Sequence, residues 1–203
     1  KTKALLINSP SNPTGMIYTE EELRQIADFA VKHDLFVISD EIYEKLIYDD
    51  AKHVSIASLG EEIYKRTIIV NGVAKSYSMT GWRIGFTASS AEIASMMGSL
   101  QSHNTSNANS IAQKATIAAL EGPQDCVEEM RQEFDRRRIY MYERLNKMPL
   151  VCCYKPQGAF YIFLDCEGLC KSTFKGQEIG NSANLAKLLP EEANIAVVPC
   201  DDF

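Results

Sequence analysis

Four short segments carry side chains suited to ligand chemistry. Asn12 opens Asn12-Pro13-Thr14-Gly15, directly after an apolar run. An asparagine amide held by a following proline can aim at a ligand at a strand end, although Asn-Pro and Thr-Gly also build ordinary turns. Asp40 closes the run LFVIS, and a carboxylate at the carboxyl edge of a strand suits a cation, a metal or a protonated ring nitrogen. A helix N-cap is its plain structural alternative. Tyr43 stands three residues on, where one helical turn brings its hydroxyl to the same side. Lys75 sits in a glycine-flanked loop, residues 71–76, after the run TIIV. A lysine there suits an imine-forming nucleophile, against the commoner solvated surface lysine. It is not part of a nucleotide-binding P-loop, which needs glycine at positions 69 and 74, where Ile69 and Ala74 stand. Arg83, in Gly81-Trp82-Arg83-Ile84-Gly85, follows Lys75 by eight residues, enough chain to return to the same edge. A guanidinium there pairs with phosphate bidentately, and the flanking glycines permit close backbone approach; a surface ion pair is the alternative.

The elements that position these residues follow from the hydrophobic pattern. Strand-length apolar runs lie at residues 3–8, 35–39, 67–70 and 84–88. Thr19 and Glu22 form a capping-box pattern ahead of Leu23, Ile26, Ala27 and Ala30, so a helix is predicted through His33. Residues 91–100 and 109–120 also read as helices. Strands without strong alternation, separated by helices, predict an α/β fold, with a mostly parallel sheet sandwiched by helices on both faces. After Gly122-Pro123 a charge-rich amphipathic stretch, 124–147, predicts one long helix. Beyond it, 151–154 and 159–164 read as strands around Pro156-Gln157-Gly158, 182–189 as a helix and 195–198 as a strand. The division is therefore a larger domain over 1–122, a connecting helix over 123–147 and a partial α+β small domain over 148–203. A chain that opens and closes in strands is expected to be a fragment of a longer one.

Composition excludes several classes. The 203 residues include 45% hydrophobic and 24% charged residues, with 21 basic against 27 acidic side chains and a net charge of −6. That profile argues against a disordered chain, and no apolar run reaches the roughly 20 residues of a membrane span. An acidic chain without a basic block is not expected to bind nucleic acid or an anionic membrane through charge. Of Cys126, Cys152, Cys153, Cys166, Cys170 and Cys200, none makes the two short-spaced pairs of a zinc site, and His33, His53 and His103 are remote in sequence. No metal site is expected. With no signal-peptide pattern, the thiols are expected to be reduced and the protein cytoplasmic.

Taken together, NPTG (12–15), SDEIY (39–43), AKSYSMTGWRIG (74–85) and PQGAFY (156–161) resemble the class I aminotransferases of the pyridoxal-phosphate fold type I superfamily, most closely the bacterial aspartate aminotransferase-like branch. The resemblance implies pyridoxal 5'-phosphate as cofactor and amino-group transfer between an amino acid and a 2-oxo acid. It implies that Asn12 hydrogen-bonds the cofactor's ring oxygen and that Asp40 pairs with its pyridinium nitrogen. Tyr43 donates to the same ring oxygen and lowers the basicity of the imine. Lys75 forms that imine and then moves the proton between Cα and the cofactor's C4′ carbon. Arg83 binds the phosphate. Lys75, Asp40 and Tyr43 are thus the implied catalytic residues, and all five bind cofactor.

The sequence also departs from the pattern. Ala74 and Gly72 stand where many relatives carry phosphate-binding serines, and Cys200 stands where VVPG is common. The glycine-rich phosphate loop, the ring-stacking aromatic and the arginine for the substrate carboxylate belong to parts of the family pattern before residue 1 and after residue 203. The resemblance further implies a homodimer, with the polar, loop-like residues 101–109 either near its interface or simply solvated, and aspartate as default substrate. A pyridoxal-phosphate-dependent C–S lyase or decarboxylase uses the same lysine and aspartate, and a non-catalytic module could retain the fold. A dinucleotide-binding domain lacks its G-x-G-x-x-G. The 203-residue chain assayed alone is expected to show little or no transamination; robust turnover by the purified chain refutes that.

Overall fold

The computed structural model describes residues 1–200. Its centre is a four-stranded sheet in the order β1 (Ala4–Asn8), β2 (Phe36–Asp40), β3 (Thr67–Gly72), β4 (Gly85–Ala88). The first three strands are parallel and β4 runs antiparallel to β3. The register sets Asn8 opposite Asp40 and Asp40 opposite Val70, so β1, β2 and β3 bring their carboxyl ends to one edge. Gly85 of β4 pairs with Gly72, which returns the chain to that edge just after Arg83.

The helix α1 (Glu20–Lys32) starts where its cap predicts. The Glu22 backbone N–H donates to the Thr19 hydroxyl at 3.3 Å, and the Thr19 N–H donates back to the Glu22 carboxylate at 2.7 Å. Its apolar stripe, Leu23, Ala27 and Ala30, packs with Ile7, Leu35, Val37, Ile56 and Ile63 in one core. Ile63 comes from α2 (Glu61–Tyr64), a single turn too short for periodicity to reveal. The face of the sheet carrying Leu6, Phe36, Ile38 and Ile68 is less covered: Leu6 is 72% exposed and Phe36 43%.

Two helices, α3 (Ala91–Asn104) and α4 (Ser110–Glu121), lead to the long α5 (Asp125–Leu145). Residues 101–104, expected in a loop, form the last turn of α3; the loop is 105–109. The expected strands after α5 shrink. Cys152–Cys153 (β5) pairs only with Leu164–Asp165 (β6). Residues 159–163 are not strand; at the start of the segment the Ala159 N–H donates to the Leu46 carbonyl at 2.9 Å, and the preceding Gly158 makes one isolated bridge with Ile47. Three small elements escaped the sequence pattern: α6 (Glu167–Cys170) and the hairpin of β7 (Thr173–Phe174) and β8 (Gln177–Glu178). The last helix, α7 (Ser182–Ala193), runs past Pro190 before Asn194 ends it at a left-handed φ of 56°. Residues 195–198 are not a strand; the Ile195 N–H donates back to Leu189 instead. The last three residues of the expected small domain lie outside the described residues.

A bracket fixes residues 156–161 against the sheet edge. Arg138 of α5, with its side chain 3% exposed, forks onto Asp49 at 2.8 and 2.9 Å and onto Asp135, and donates to the Pro156 carbonyl at 2.7 Å. Its guanidinium lies 4.6 Å from the Tyr48 ring centre, and the Tyr48 hydroxyl donates to the Ala159 carbonyl at 2.5 Å. The Gln157 and Gly158 N–H groups both donate to the Gly15 carbonyl, at 3.0 and 2.8 Å. Gly15 needs its positive φ of 68°, and Gly158 lies so close to Pro10 that an added Cβ would stand 2.6 Å from the proline Cβ. Gly158→Ala is expected to destabilise the chain by about 1–3 kcal/mol in denaturant melts. Gly81→Ala, with open space around it, is the control expected to stay nearer the original stability.

Candidate active site

Asp40 ends β2 with one carboxylate oxygen accepting from the Ile42 N–H at 3.1 Å. The residue thus caps a turn, not the helix start of its plain alternative, and leaves its second oxygen at the sheet edge. The following residues form turns rather than a helix, with Glu44 N–H donating to Glu41 and Leu46 N–H to Tyr43. These turns bury Tyr43 and Leu46 with Ala159, against Ile42, Phe134 and Tyr161. The Tyr43 hydroxyl lies 2.5 Å from that of Tyr161. Burial first, then the hydrogen bond to Tyr161 and the Asp40 charge, push the Tyr43 phenol well above its usual range, so it is a proton donor at neutral pH.

Lys75 leaves β3 in a further turn, closed by the Ser78 N–H on the Lys75 carbonyl. Its Nζ lies 5.4 Å from the Phe160 ring centre and 5.7 Å from that of Tyr43. Among the described residues no carboxylate lies within ion-pair distance of this ammonium. The structure therefore brings Asp40, Tyr43 and Lys75 together.

Asn12 joins through Asn8, a residue the sequence reading passed over. The Asn8 amide donates to the Asp40 carbonyl at 3.3 Å, while its oxygen accepts from the Asn12 N–H at 2.6 Å. The Asn12 side chain is exposed and has no hydrogen-bond partner among the described residues. Arg83 stands at the same end of the sheet, at a left-handed φ of 56°, but touches none of the other four. Its guanidinium donates to the Thr80 carbonyl at 3.0 Å and lines an open cleft of about 560 Å³ with Gly81, Trp82, Asn109 and Ala112.

The match to known proteins decides the lineage. The family described as aminotransferase class I and II matches residues 1–203, the whole chain. The chain belongs to this family. The aspartate aminotransferase of Bacillus sp. (strain YM-2) is 49% identical over 203 residues, 100% of this chain and 51% of that protein. The aspartate aminotransferase structure from Rhizobium meliloti superposes with a TM-score of 0.92 at 38% identity, over 98% of this chain and 50% of the other. The aromatic aminotransferase structure from Pyrococcus horikoshii OT3 does so with 0.87 at 46%, over 98% and 51%. The chain spans about half the length of these aminotransferases.

The donor set suits the cofactor that an aminotransferase implies. Such a ligand presents an aldehyde, a phenolic oxygen, a ring nitrogen and a phosphate. Among the described residues, this edge holds an ammonium without a carboxylate partner, a carboxylate oxygen and a side-chain amide without hydrogen-bond partners, and a guanidinium bound to its own turn. Ser76, beside Lys75, adds a buried hydroxyl with no partner among the described residues. It is the near hydroxyl in a loop where positions 72 and 74 have none.

Behind the edge lies a second polar cluster. Glu41 is buried and accepts from Ser39 at 2.9 Å and Ser55 at 2.8 Å, with His53 Nε2 at 3.0 Å. Glu41, Glu44 and His53 place their ligand atoms within 4.8 Å of one another, a metal-capable grouping that cysteine and histidine spacing did not suggest. Burial pushes the Glu41 carboxyl up, but the hydrogen bonds from His53, Ser55 and Ser39 outweigh it and hold it below 4.5. A carboxylate depressed in the folded state stabilises fully above its unfolded pKa and loses that contribution as pH falls through the folded value. Denaturant melts are therefore expected to show Glu41→Gln less stable than the original chain at pH 7, with the gap closing below about pH 4.5. A gap independent of pH would rule the linkage out.

Proposed function

We propose that this chain supplies the lysine-bearing part of a pyridoxal-phosphate-dependent aminotransferase site, acting on an amino acid and a 2-oxo acid. The observation that carries the reading is Lys75. Its ammonium lies over two aromatic rings, without a carboxylate partner among the described residues, at the edge that Asp40 and Asn8 share. An ion-paired surface lysine would be poorly placed for attack on a carbonyl; this one has an open direction.

When bound, pyridoxal phosphate supplies an electron sink that stabilises negative charge at the substrate Cα. The chain's residues place and charge that sink. Asp40, through its second oxygen, would hold a proton on the ring nitrogen by ionic hydrogen bonding. Tyr43 would donate to the ring oxygen, and Asn12 would offer its amide there. Arg83, with its Nη1 on the Thr80 carbonyl, would meet the phosphate with its other N–H donors. Lys75 would be the residue that holds the cofactor's aldehyde carbon through its amine, and would serve as general base toward the substrate Cα proton. The rings of Tyr43 and Phe160 lie beside its Nζ, with centres at 5.7 and 5.4 Å.

The larger domain over 1–122, the connecting helix over 123–147 and the small domain over 148–203 remain our division. Aspartate is the first substrate to test, given the name of the Bacillus relative. We infer a homodimer from family membership, and a cytoplasmic setting from six unpaired cysteines. No helix among the described residues is long and apolar enough to cross a membrane.

The test is covalent trapping. The chain incubated with pyridoxal phosphate and reduced with borohydride is expected to carry its label on Lys75 in peptide mass spectrometry. Lys75→Ala is expected to abolish that label. Label scattered over surface lysines, or unaffected by Lys75→Ala, overturns the reading.

A further inference from the structure

We propose that Tyr161 is a positioning residue of this site: its hydroxyl holds that of Tyr43 so that the Tyr43 proton is presented to an acceptor oxygen entering beside Lys75. The inference deepens the cofactor reading and rests on it.

The geometry starts from the 2.5 Å separation of the two hydroxyls, with the rings edge to face at 79° and their centres 5.8 Å apart. Each phenol has one proton and can accept. Between two such groups the proton order is undecided until a third group enters. A ring oxygen of the cofactor, acting as an acceptor, has no proton to give at that point. The order then becomes Tyr161 to Tyr43 to acceptor, each hydroxyl polarising the next. A lone Tyr43 would have to find that direction by rotation of its O–H.

Tyr161 can serve this role only if it is itself fixed, and it is. Phe160, its neighbour, stacks on Phe134 of α5 with ring centres 5.1 Å apart at 22°, and meets Tyr43 edge-on at 84°. Ala159 is anchored at both backbone groups, its N–H on Leu46 and its carbonyl receiving the Tyr48 hydroxyl. The Arg138 bracket holds the start of the same segment through Pro156. The groups that bear electrically on Tyr43 are Tyr161 and Asp40, and the Lys75 ammonium lies over its ring. The segment 156–161 was recognised in the sequence as a motif, without a role for its tyrosine.

The experiment compares the unsubstituted chain, Tyr161→Phe, Tyr43→Phe and the double variant. Without cofactor, ring-labelled tyrosine NMR follows the Tyr43 signal, assigned by its loss in Tyr43→Phe. Because the two hydroxyls lie 2.5 Å apart, that signal is expected to move in Tyr161→Phe. With pyridoxal phosphate, the affinity read from the visible band at Lys75 is expected to fall roughly 3- to 10-fold in Tyr161→Phe, the worth of one net hydrogen bond. In the Tyr43→Phe background the same change is expected to add little, because Tyr161 acts through Tyr43.

An unchanged Tyr43 signal and unchanged affinity in Tyr161→Phe would overturn the inference alone. So would a full, additive loss in the Tyr43→Phe background, or a lowered melting temperature with neither readout moved, either of which marks a packing role. A chain that forms no band and traps no label at Lys75 removes the cofactor reading itself, and this inference with it.

Discussion

The carbonyl of Gly15 receives two N–H groups from the far side of the chain, and the site depends on that junction. Gln157 and Gly158 donate to it together, and the close packing of Gly158 on Pro10 leaves no space for a side chain. This contact holds residues 156–161 on the loop that follows β1. Through it Phe160 and Tyr161 reach Tyr43 and Lys75, whose own positions come from the ends of β2 and β3. Without it, the sheet edge would still present Asp40 and Lys75, but Tyr43 would lose its hydroxyl partner and its ring contacts with Phe160 and Tyr161.

The sheet supplies the other half of the arrangement. Parallel strands bring their carboxyl ends together, and the row Asn8, Asp40, Val70 is a direct result of register. Asn8 uses both ends of its amide to couple that row to the turn at Asn12. Charge follows the same logic on a smaller scale. Asp40 and Glu41 are adjacent carboxylates on opposite faces. Glu41 is spent on hydrogen bonds in the core, while Asp40 keeps an oxygen free.

Much of this was legible in the residues. Periodicity placed β1 to β4 and α1, and the reciprocal cap at Thr19 and Glu22 placed the start of α1. The motif spacing singled out Lys75, Asp40 and Tyr43, which the structure gathers. Other parts were not legible, for physical reasons. Residues 159–163 look like a strand because they are apolar, yet Phe160 and Tyr161 pack their rings on Tyr43 and Ala159 bonds to the turn at Leu46. Residues 195–198 have strand composition but no strand beside them among the described residues. Asn8 reads as an ordinary strand residue, since nothing in a local pattern reveals a bond to Asp40, 32 residues away. Arg138 reads as one of several charges on a solvated helix, whereas it is buried by partners that periodicity cannot see.

The hydroxyl pair of Tyr43 and Tyr161 joins positions 118 residues apart. The strand pairing of β1 with β2 spans only about a quarter of that distance. Closing a longer loop costs more chain entropy, though only slowly with length, and pairings between distant segments are slow to form. The order of assembly during folding is then set by the map of contacts: the sheet edge first, the aromatic side of the pocket afterwards. While the chain is being synthesised, Lys75 emerges long before Phe160, so its ammonium waits in water until the last wall of its own pocket has been made.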